Sequence, residues 1–298
     1  MQMAWGEAEV DADWSELRTV AVVSPESFEV TEPVNIAQRN WYGTPHAPRR
    51  QLVVSQHLAV VSALADEGAH IVRLPPHPGL PLQFNVRDAA VTIGDCLVFG
   101  RMTRAIRADE PKAVEDCLGV SGRYIRAGHL EGGDVIVTPD RVFVGVGERT
   151  DNRGVKELAS LIGHRTTVEP IRLAAGTLHL DLAMALLSNT LGLIYPPALA
   201  SSVPKSLAHV EWITVTKAEF DEQGANVLVV RPGVLAADAR HERLHAEVGR
   251  RGWRCVKVNL DEITKIGGGV RCMTLPLRRA GQHRTDGSTP PNGGVDHG

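Results

Sequence analysis

The sequence predicts an α/β fold in which five similar units surround a pseudo-fivefold axis, as the blades of a propeller do. Three observations carry this prediction. A hairpin-like pattern recurs along the chain, its copies are almost evenly spaced, and a helix-like stretch followed by a short strand separates one hairpin from the next. The repeated unit is therefore ββαβ. A doubly wound parallel sheet is less favoured, because it does not require regularly spaced hairpins.

Each hairpin-like segment starts with a polar residue, continues with a short apolar run, turns, and continues with a second apolar run. The turns use Gly, Pro, Asn and Asp, which is typical of hairpin connections. Successive segments lie 45 to 47 residues apart along the chain. Their leading polar residues are, in order, Asp88, Asp134, Asp181, Asn226 and Cys272.

Between the hairpins lie helix-like stretches, each followed by a short strand-like run. The predicted helices cover residues 50–67, 110–118, 153–162, about 202–209, and 239–250. The strands that follow them are predicted to start near Ile71, Tyr124, Thr167, Trp212 and Cys255.

The fifth hairpin shows only its first strand, and the N-terminal strand at 19–24 is predicted to supply the missing partner. Closing the ring in this way removes an exposed sheet edge. The expected organisation is an N-terminal extension at 1–18, a single domain at 19–278 and a disordered tail at 279–298, which is rich in Gly, Pro and polar residues.

Composition and charge exclude several classes of protein. A net charge of −3, from 32 basic and 35 acidic residues, argues against nucleic-acid binding. The most apolar stretch, 173–200, is interrupted by charged and polar residues and predicts no membrane span. No signal peptide is visible and the four cysteines form no CxxC pair, so we expect a cytoplasmic protein with free thiols. A homo-oligomer is left open.

The ring is expected to bring the leading residues of the hairpins to its centre. Glu131 and His179 come shortly before the second and third of them, so carboxylates, an imidazole and a thiol should meet there. Paired carboxylates match a planar guanidinium, while a thiol and an imidazole supply a nucleophile and a proton carrier. Cys272 differs from the other cysteines because three glycines, 267–269, let the backbone before it approach a ligand. The predicted chemistry is covalent attack on a guanidinium carbon.

Six strings, found in order between about residues 19 and 278, together resemble the guanidine-modifying enzymes of the pentein fold: NVRDAAVTIGD, HLEGGDV, VGERT, TLHLD, GANVLVVRPGVL and GGGVRCMTLPL. The resemblance is nearest to the arginine deiminases, with dimethylarginine dimethylaminohydrolases and amidinotransferases further off. It implies a five-unit α/β propeller and a hydrolase that converts L-arginine or an N-methylated arginine into citrulline. Neither a cofactor nor a metal is implied, and the expected partner is a small guanidino substrate.

The resemblance also implies roles for single residues. Cys272 matches the nucleophile, His179 the general acid/base, and Glu131 the carboxylate that works beside that histidine. The residues expected to bind substrate are Asp88 and Asp181 for the guanidinium, Arg149 and Arg107 for the α-carboxylate, and Asn226, which leads the fourth hairpin. Two departures concern the substrate: Asn85 replaces an aromatic residue of the family, and Asp181 stands where the dimethylarginine enzymes have a lysine.

Other interpretations stay open. An amidinotransferase would pass the amidino group from the same intermediate to an amine instead of water. Residues 241–245 spell HExxH, a zinc-protease signature, but no convincing third ligand follows them. A non-enzymatic binder of arginine-like ligands would not need a nucleophile beside a histidine. Residues 41–43 form either a mobile loop over the pocket or ordinary loop packing.

Overall fold

The computed structural model describes residues 8–163 and 166–281. Within them, fifteen strands form five three-stranded sheets that share one arrangement. In each sheet, the middle strand pairs antiparallel with one neighbour and parallel with the other. The predicted α/β fold of repeated ββαβ units is therefore confirmed.

The elements follow one another in the order that the repeat predicts. The first part of the chain contains β1 (Leu17–Val23), α1 (Ile36–Trp41), α2 (Arg50–Asp66), β2 (His70–Leu74), β3 (Ala90–Ile93), β4 (Cys96–Phe99), α3 (Glu110–Leu118), β5 (Arg123–Tyr124), β6 (Val135–Val137), β7 (Arg141–Val146), α4 (Asn152–Ile162) and β8 (Thr167–Arg172). The second part contains α5 (Leu180–Ala183), β9 (Met184–Leu186), β10 (Leu191–Ile194), β11 (Glu211–Thr214), α6 (Lys217–Asp221), β12 (Leu228–Arg231), β13 (Val234–Asp238), α7 (Glu242–Gly249), β14 (Arg254–Val258) and β15 (Leu275–Arg279).

The first strand closes the ring as predicted. β1 pairs antiparallel with β15 and parallel with β2, so the two ends of the domain share one sheet. Closure leaves β1 as a middle strand with a partner on both sides, which protects its backbone groups from pairing with another chain.

The helix predicted near 202–209 is absent, and a short 3₁₀ turn at Lys205–Leu207 takes its place. Pro204 precedes this turn, and Pro196 and Pro197 interrupt the chain soon after β10. Proline lacks the backbone donor that a helix interior needs, so this connection stays irregular. The other four predicted helices agree with α2, α3, α4 and α7 to within three residues at each end.

The domain is wider than the predicted 19–278. Residues 8–16 pack onto it: Val10 and Trp14 are buried, and the backbone N–H of Glu9 donates to the carbonyl of Leu277. At the other end Arg279 is the last residue of β15 and is buried. Residues 1–7 of the predicted extension and 282–298 of the predicted tail lie outside the described residues.

The core lies between neighbouring sheets and around the axis. The hairpin strands β3, β6, β9 and β10 are buried along their whole length, whereas the outer strands β2 and β14 are exposed at their first and fourth residues and fully buried only at their last. The hairpins are therefore the inner part of each unit, and their leading residues face a common centre. Among the described helices, none combines the length and apolar character that a membrane crossing requires.

Candidate active site

Side chains from all five units meet in the interior, where the hairpins begin. Three of them belong to short turns that precede a strand or helix: Asp88 ends a 3₁₀ turn before β3, Glu131 precedes the turn that leads to β6, and His179 precedes α5. The predicted residues of this group are at most 3% exposed: Asp88, Glu131, Asp134, His179, Asp181, Asn226 and Cys272. The convergence predicted from the repeat is thus observed.

Asn226 holds the segment that carries Cys272. Its Oδ1 accepts hydrogen bonds from the backbone N–H groups of Arg271 (3.1 Å) and Cys272 (3.2 Å). Its Nδ2 lies 3.2 Å from the Cys272 Sγ and donates to it. Gly269 leaves room for this contact, because a Cβ there would lie 2.8 Å from Oδ1 of Asn226. Both ends of the Asn226 amide are therefore used on the protein, and it positions the thiol instead of presenting a free group to substrate.

The thiol lies among negative charges. Its Sγ is 3.8 Å from Oδ2 of Asp181. Burial, together with the charges of Asp181 and Asp88, raises the pKa of the Cys272 thiol well above its ordinary value. The hydrogen bonds from Gly269 and Asn226 act in the opposite direction without overcoming this effect. The thiol of the empty site is consequently protonated at neutral pH.

His179 and Glu131 form a buried ion pair. Nε2 of the imidazole lies 2.8 Å from Oε2 of Glu131. Burial alone would lower the pKa of His179, but the charge of Asp88 and the hydrogen bond to Glu131 outweigh it and raise that pKa to about 9. Burial would raise the pKa of Glu131, yet the hydrogen bond to His179 prevails and lowers it to about 2. The pair is an imidazolium and a carboxylate at neutral pH.

The EGGD string is explained by close packing. A Cβ at Gly133 would lie 2.7 Å from Oδ1 of Asp88 and 2.8 Å from Nδ1 of His179. A Cβ at Gly132 would lie 2.1 Å from the backbone carbonyl oxygen of Arg87. The next residue, Asp134, accepts a hydrogen bond from the backbone N–H at the start of α5 (2.9 Å) and so fixes the helix that carries Asp181.

The predicted role of Arg107 in binding the substrate's α-carboxylate is not supported. Its guanidinium is buried between two carboxylates of the protein, donating from Nη1 to Asp88 (2.7 Å) and from Nε and Nη2 to Glu110 (2.9 and 2.7 Å). These ionic hydrogen bonds leave Arg107 no free edge. It holds Oδ2 of Asp88 instead.

Arg149 is partly occupied in a similar way. Its Nη1 lies 3.2 Å from Oε2 of Glu131, and its Nη2 donates to the backbone carbonyl of Val34 (2.6 Å). Its buried Nε has no hydrogen-bond partner within the described ranges. Arg149 therefore borders the site with one donor still open.

Three buried acceptors at the site also have no hydrogen-bond partner among the residues described. They are Oδ1 of Asp88, Oδ1 of Asp181 and Oδ1 of Asn85. Asn85 was not predicted as a site residue. A Cβ at Gly268 would lie 3.0 Å from its Oδ1 and 3.5 Å from the Cys272 Sγ, so its amide is close to the thiol. The signal for Asn85 in the sequence was its replacement of an aromatic residue in the family pattern.

A cavity of about 420 Å³ lies beside the Cys272 segment. Its lining includes Gly267, Asn35 and Trp41, the last of which ends α1. The N-terminal end of α1 is attached to that segment, because the side-chain amides of Asn35 and Gln38 both donate to the backbone carbonyl of Ile266. The α1 region thus covers one side of the Cys272 segment.

The side chains of Asp88, Glu131 and His179 form the one group of three possible metal ligands found in the described part of the chain. Each of the three side chains already has an ionic partner, because Arg107 binds Oδ2 of Asp88, Arg149 binds Glu131, and Glu131 binds Nε2 of the imidazole. In the HExxH segment, His241 precedes α7 and its Nε2 lies 3.2 Å from the backbone carbonyl of Glu222. Residues 8–163 and 166–281 bring no cluster of three ligands to that helix.

Comparison with known proteins identifies the family. The family described as N,N dimethylarginine dimethylhydrolase, eukaryotic, matches residues 24–279. The chain belongs to this family. It is 30% identical over 272 residues to the uncharacterized protein YkgA of Bacillus subtilis. The aligned region covers 90% of this chain and 94% of YkgA. It is 26% identical over 229 residues to the N(G),N(G)-dimethylarginine dimethylaminohydrolase of Pseudomonas aeruginosa, covering 74% and 87% of the two chains.

A solved structure supports the fold. The N-terminal domain of ArgZ, described as an arginine dihydrolase of cyanobacteria, superposes with a TM-score of 0.77 at 20% identity, covering 88% of this chain and 98% of that domain. The resemblance to guanidine-modifying enzymes is thus confirmed. The matching family is that of the dimethylarginine enzymes, whereas the sequence strings predicted a nearer resemblance to the arginine deiminases. Membership makes the protein a hydrolase of carbon–nitrogen bonds in linear amidines.

Proposed function

We propose that the protein hydrolyses the guanidino group of L-arginine or of an N-methylated arginine. The products are citrulline and either ammonia or an amine, and the reaction passes through a covalent intermediate on Cys272. One observation carries the proposal. The buried thiol lies between two carboxylates with open acceptor atoms, in a site that also contains an imidazolium.

Asp88 and Asp181 bind the substrate guanidinium. Each keeps one buried carboxylate oxygen without a hydrogen bond from the described residues, and Oδ1 of Asp88 lies 3.5 Å from Nδ1 of His179. A guanidinium has N–H groups that suit such acceptors. Asn85 offers a third acceptor near the thiol. Arg149, with its open Nε at the border of the site, binds the α-carboxylate.

The substrate's own charge activates the thiol. In the empty site the carboxylates oppose a thiolate, as the raised pKa of Cys272 indicates. A guanidinium bound to Asp88 and Asp181 neutralises that opposition and favours a thiolate next to the carbon it attacks. The thiol proton passes to solvent as the substrate binds, so the nucleophile is formed when substrate is present.

In the first half-reaction the thiolate attacks the central guanidinium carbon and a carbon–sulfur bond forms. The tetrahedral adduct then breaks its bond to one terminal nitrogen. The His179 imidazolium donates its proton to that nitrogen, which leaves as ammonia or as a methylated amine. An S-alkylthiouronium remains on Cys272, and Glu131 supports the change in charge on the imidazole.

In the second half-reaction the neutral imidazole of His179 takes a proton from water as the oxygen attacks the same carbon. The carbon–sulfur bond breaks, the remaining hydroxyl proton passes to the sulfur and restores the thiol, and the ureido product citrulline is released. His179 ends as an imidazolium, so the cycle closes without any group supplied from outside. Transfer of the amidino group to an amine receives no support from the relatives described above.

The experiment is a product assay on L-arginine, monomethylarginine and dimethylarginine, with wild type, Cys272→Ala and Cys255→Ala. Cys255 is a half-buried thiol in β14 and serves as the control. We expect citrulline from at least one substrate with wild type and Cys255→Ala, and a loss of about 10³-fold or more with Cys272→Ala. Equal rates in wild type and Cys272→Ala would overturn the mechanism.

The same assay identifies the substrate and the acceptor. Ammonia as the amine product indicates arginine, and dimethylamine indicates the dimethylated substrate. Ornithine in excess of citrulline would show that hydrolysis continues beyond the ureido stage. Turnover that appears only when an amine acceptor is added would replace hydrolysis by amidino transfer.

A further inference from the structure

Three buried arginines lie in the interior next to the Cys272 segment. Arg271 directly precedes Cys272, Arg87 directly precedes Asp88, and Arg279 ends β15. Their exposed fractions are 5%, 2% and 2%. Burying a guanidinium is costly unless hydrogen bonds and an opposite charge compensate it, so each of the three needs an account of its partners.

Arg271 has ionic partners, although its Nε makes no hydrogen bond within the described residues. Its Nη2 donates to Oδ2 of Asp13 (2.9 Å) and to the carbonyl of Val135 (2.8 Å), and its Nε lies 3.5 Å from Oδ2 of Asp181. Asp13 is itself buried and accepts from the backbone N–H of Val137 (3.0 Å). The Oδ2 atoms of both carboxylates therefore face Arg271.

Arg279 and Arg87 have fewer hydrogen-bond partners. Arg279 donates from Nη1 to the carbonyls of Ser15 (2.5 Å) and Val229 (2.8 Å), but its buried Nε and Nη2 have no partner in the described residues. Arg87 has buried Nε and Nη2 atoms without a partner, and its guanidinium makes no hydrogen bond or ion pair with any part of the chain that the structure describes.

The charges do not balance. Three guanidinium groups face two carboxylates, those of Asp13 and Asp181, which leaves one positive charge in excess. Burial and the charge of Arg271 lower the pKa of Arg87 to about 9, so the group still carries its charge at neutral pH. Five guanidinium nitrogens without a hydrogen bond among the described residues, four of them on Arg87 and Arg279, occur with one uncompensated charge in the same part of the interior.

We propose that a small monovalent anion of halide size binds in the interior between Arg87 and Arg279. The open Nε and Nη2 atoms of the two arginines donate to it, and its charge matches the excess of one. The hydroxyl of Ser15, which is buried without a partner among the described residues, is a further donor nearby on the same segment as Asp13. The open Oδ1 of Asp13 repels an anion. We therefore expect the anion to lie nearer to Arg87 and Arg279 than to Asp13.

The occupant must be small because the surrounding side chains are buried. Residues 12–15 cover this interior on one side, and the Cys272 segment covers it on the other. An organic anion such as gluconate is too large to enter without opening the fold. The inference concerns stability and does not rest on the proposed reaction.

The first test compares thermal unfolding in sodium chloride and in sodium gluconate at equal ionic strength. An anion that binds only the folded state raises the melting temperature, by about 3 °C for each tenfold increase in chloride above its dissociation constant. In Arg87→Met the difference between the salts should vanish, while Arg101→Met, at an exposed arginine, should keep it. Identical melting temperatures of wild type in the two salts would overturn the proposal.

The second test does not depend on a variant that folds. Crystals of the wild-type protein grown or soaked in sodium bromide should show an anomalous peak within hydrogen-bonding distance of the Arg87 and Arg279 guanidinium groups. Ordered water there without an anomalous signal would contradict the proposal, because neutral water leaves the excess charge uncompensated.

Discussion

At the scale of single residues, the most telling feature is a nucleophile placed among negative charges. Asp181 and Asp88, with burial, hold Cys272 in its thiol form until a cation arrives. We therefore predict that chloroacetamidine, which is cationic, alkylates Cys272 at least about 10²-fold faster than neutral chloroacetamide, once both rates are divided by those with glutathione. Mass spectrometry of the labelled protein locates the modification. A ratio near one would mean that the carboxylates do not control the thiol.

The His179–Glu131 pair leads to a prediction about titration. Because the folded pKa of His179 is about 9, above the ordinary 6.5, its contribution to stability is complete below pH 6.5 and is lost as pH rises through about 9. The contribution of Glu131, with a folded pKa of about 2, is present above 4.5 and is lost as pH falls through about 2.

Histidine NMR measures this directly. In wild type the His179 ring should stay protonated to about pH 9, and in Glu131→Gln its pKa should fall by more than one unit, with kcat lower by about 10²-fold. His57 is an internal reference, because burial lowers its pKa to about 4 and its signal should not change near neutrality. A His179 that titrates near 6.5 in both proteins would refute the ion pair.

The types of the site residues were predictable from the sequence, but several of their contacts were not. Regular spacing brought Cys272, His179 and Asp88 to one centre, because each leads or adjoins a hairpin. The partners of Arg107 and Asn226 depend instead on distances in three dimensions, which the spacing of residues along the sequence does not determine. Arg107 faces Glu110 on the following helix, and Asn226 closes on the backbone of the fifth unit.

At the scale of an element, the turn before β6 has no room for a side chain. Gly133→Ala would place a Cβ against Asp88 and His179, so we predict a loss of about 10²-fold or more in kcat/KM together with a lower melting temperature. Gly249→Ala is the matched control, because a Cβ at that position, the end of α7, meets nothing within 4 Å. It should leave kcat/KM unchanged. Full activity in Gly133→Ala would mean that the turn tolerates a shift.

Helices were predictable where the pattern was local. α3 has the predicted bounds. Gly119 follows its last residue and caps it with a positive φ, a conformation that favours glycine. The helix predicted near 202–209 failed because three prolines in the same connection outweigh its apolar content. The ends of the helices could be predicted from residues within each segment. The ends of the domain could not, because residues 8–16 join it through contacts with distant parts of the chain.

At the scale of the whole molecule, residues 8–16 join the domain chiefly through backbone pairing and one buried ion pair. Asp13→Asn leaves Arg271 without its carboxylate, and we predict a loss of about 3 kcal/mol in the free energy of unfolding. Chemical denaturation measures it. The control is Glu16→Gln, which breaks an exposed pair with Arg18 and should cost less than about 0.5 kcal/mol. Equal losses would show that the N-terminal segment is not attached through Asp13.

The central claim is that Cys272 carries the amidino carbon during hydrolysis, and rapid acid quench followed by mass spectrometry tests it most directly. Wild-type protein mixed with the substrate found in the product assay should gain, at early times, a mass equal to the substrate minus the departing amine. Peptide mapping should place that mass on Cys272, and Cys272→Ala should gain none. Product formation with no such mass at any mixing time, or the mass on Cys96, Cys117 or Cys255, would contradict the account.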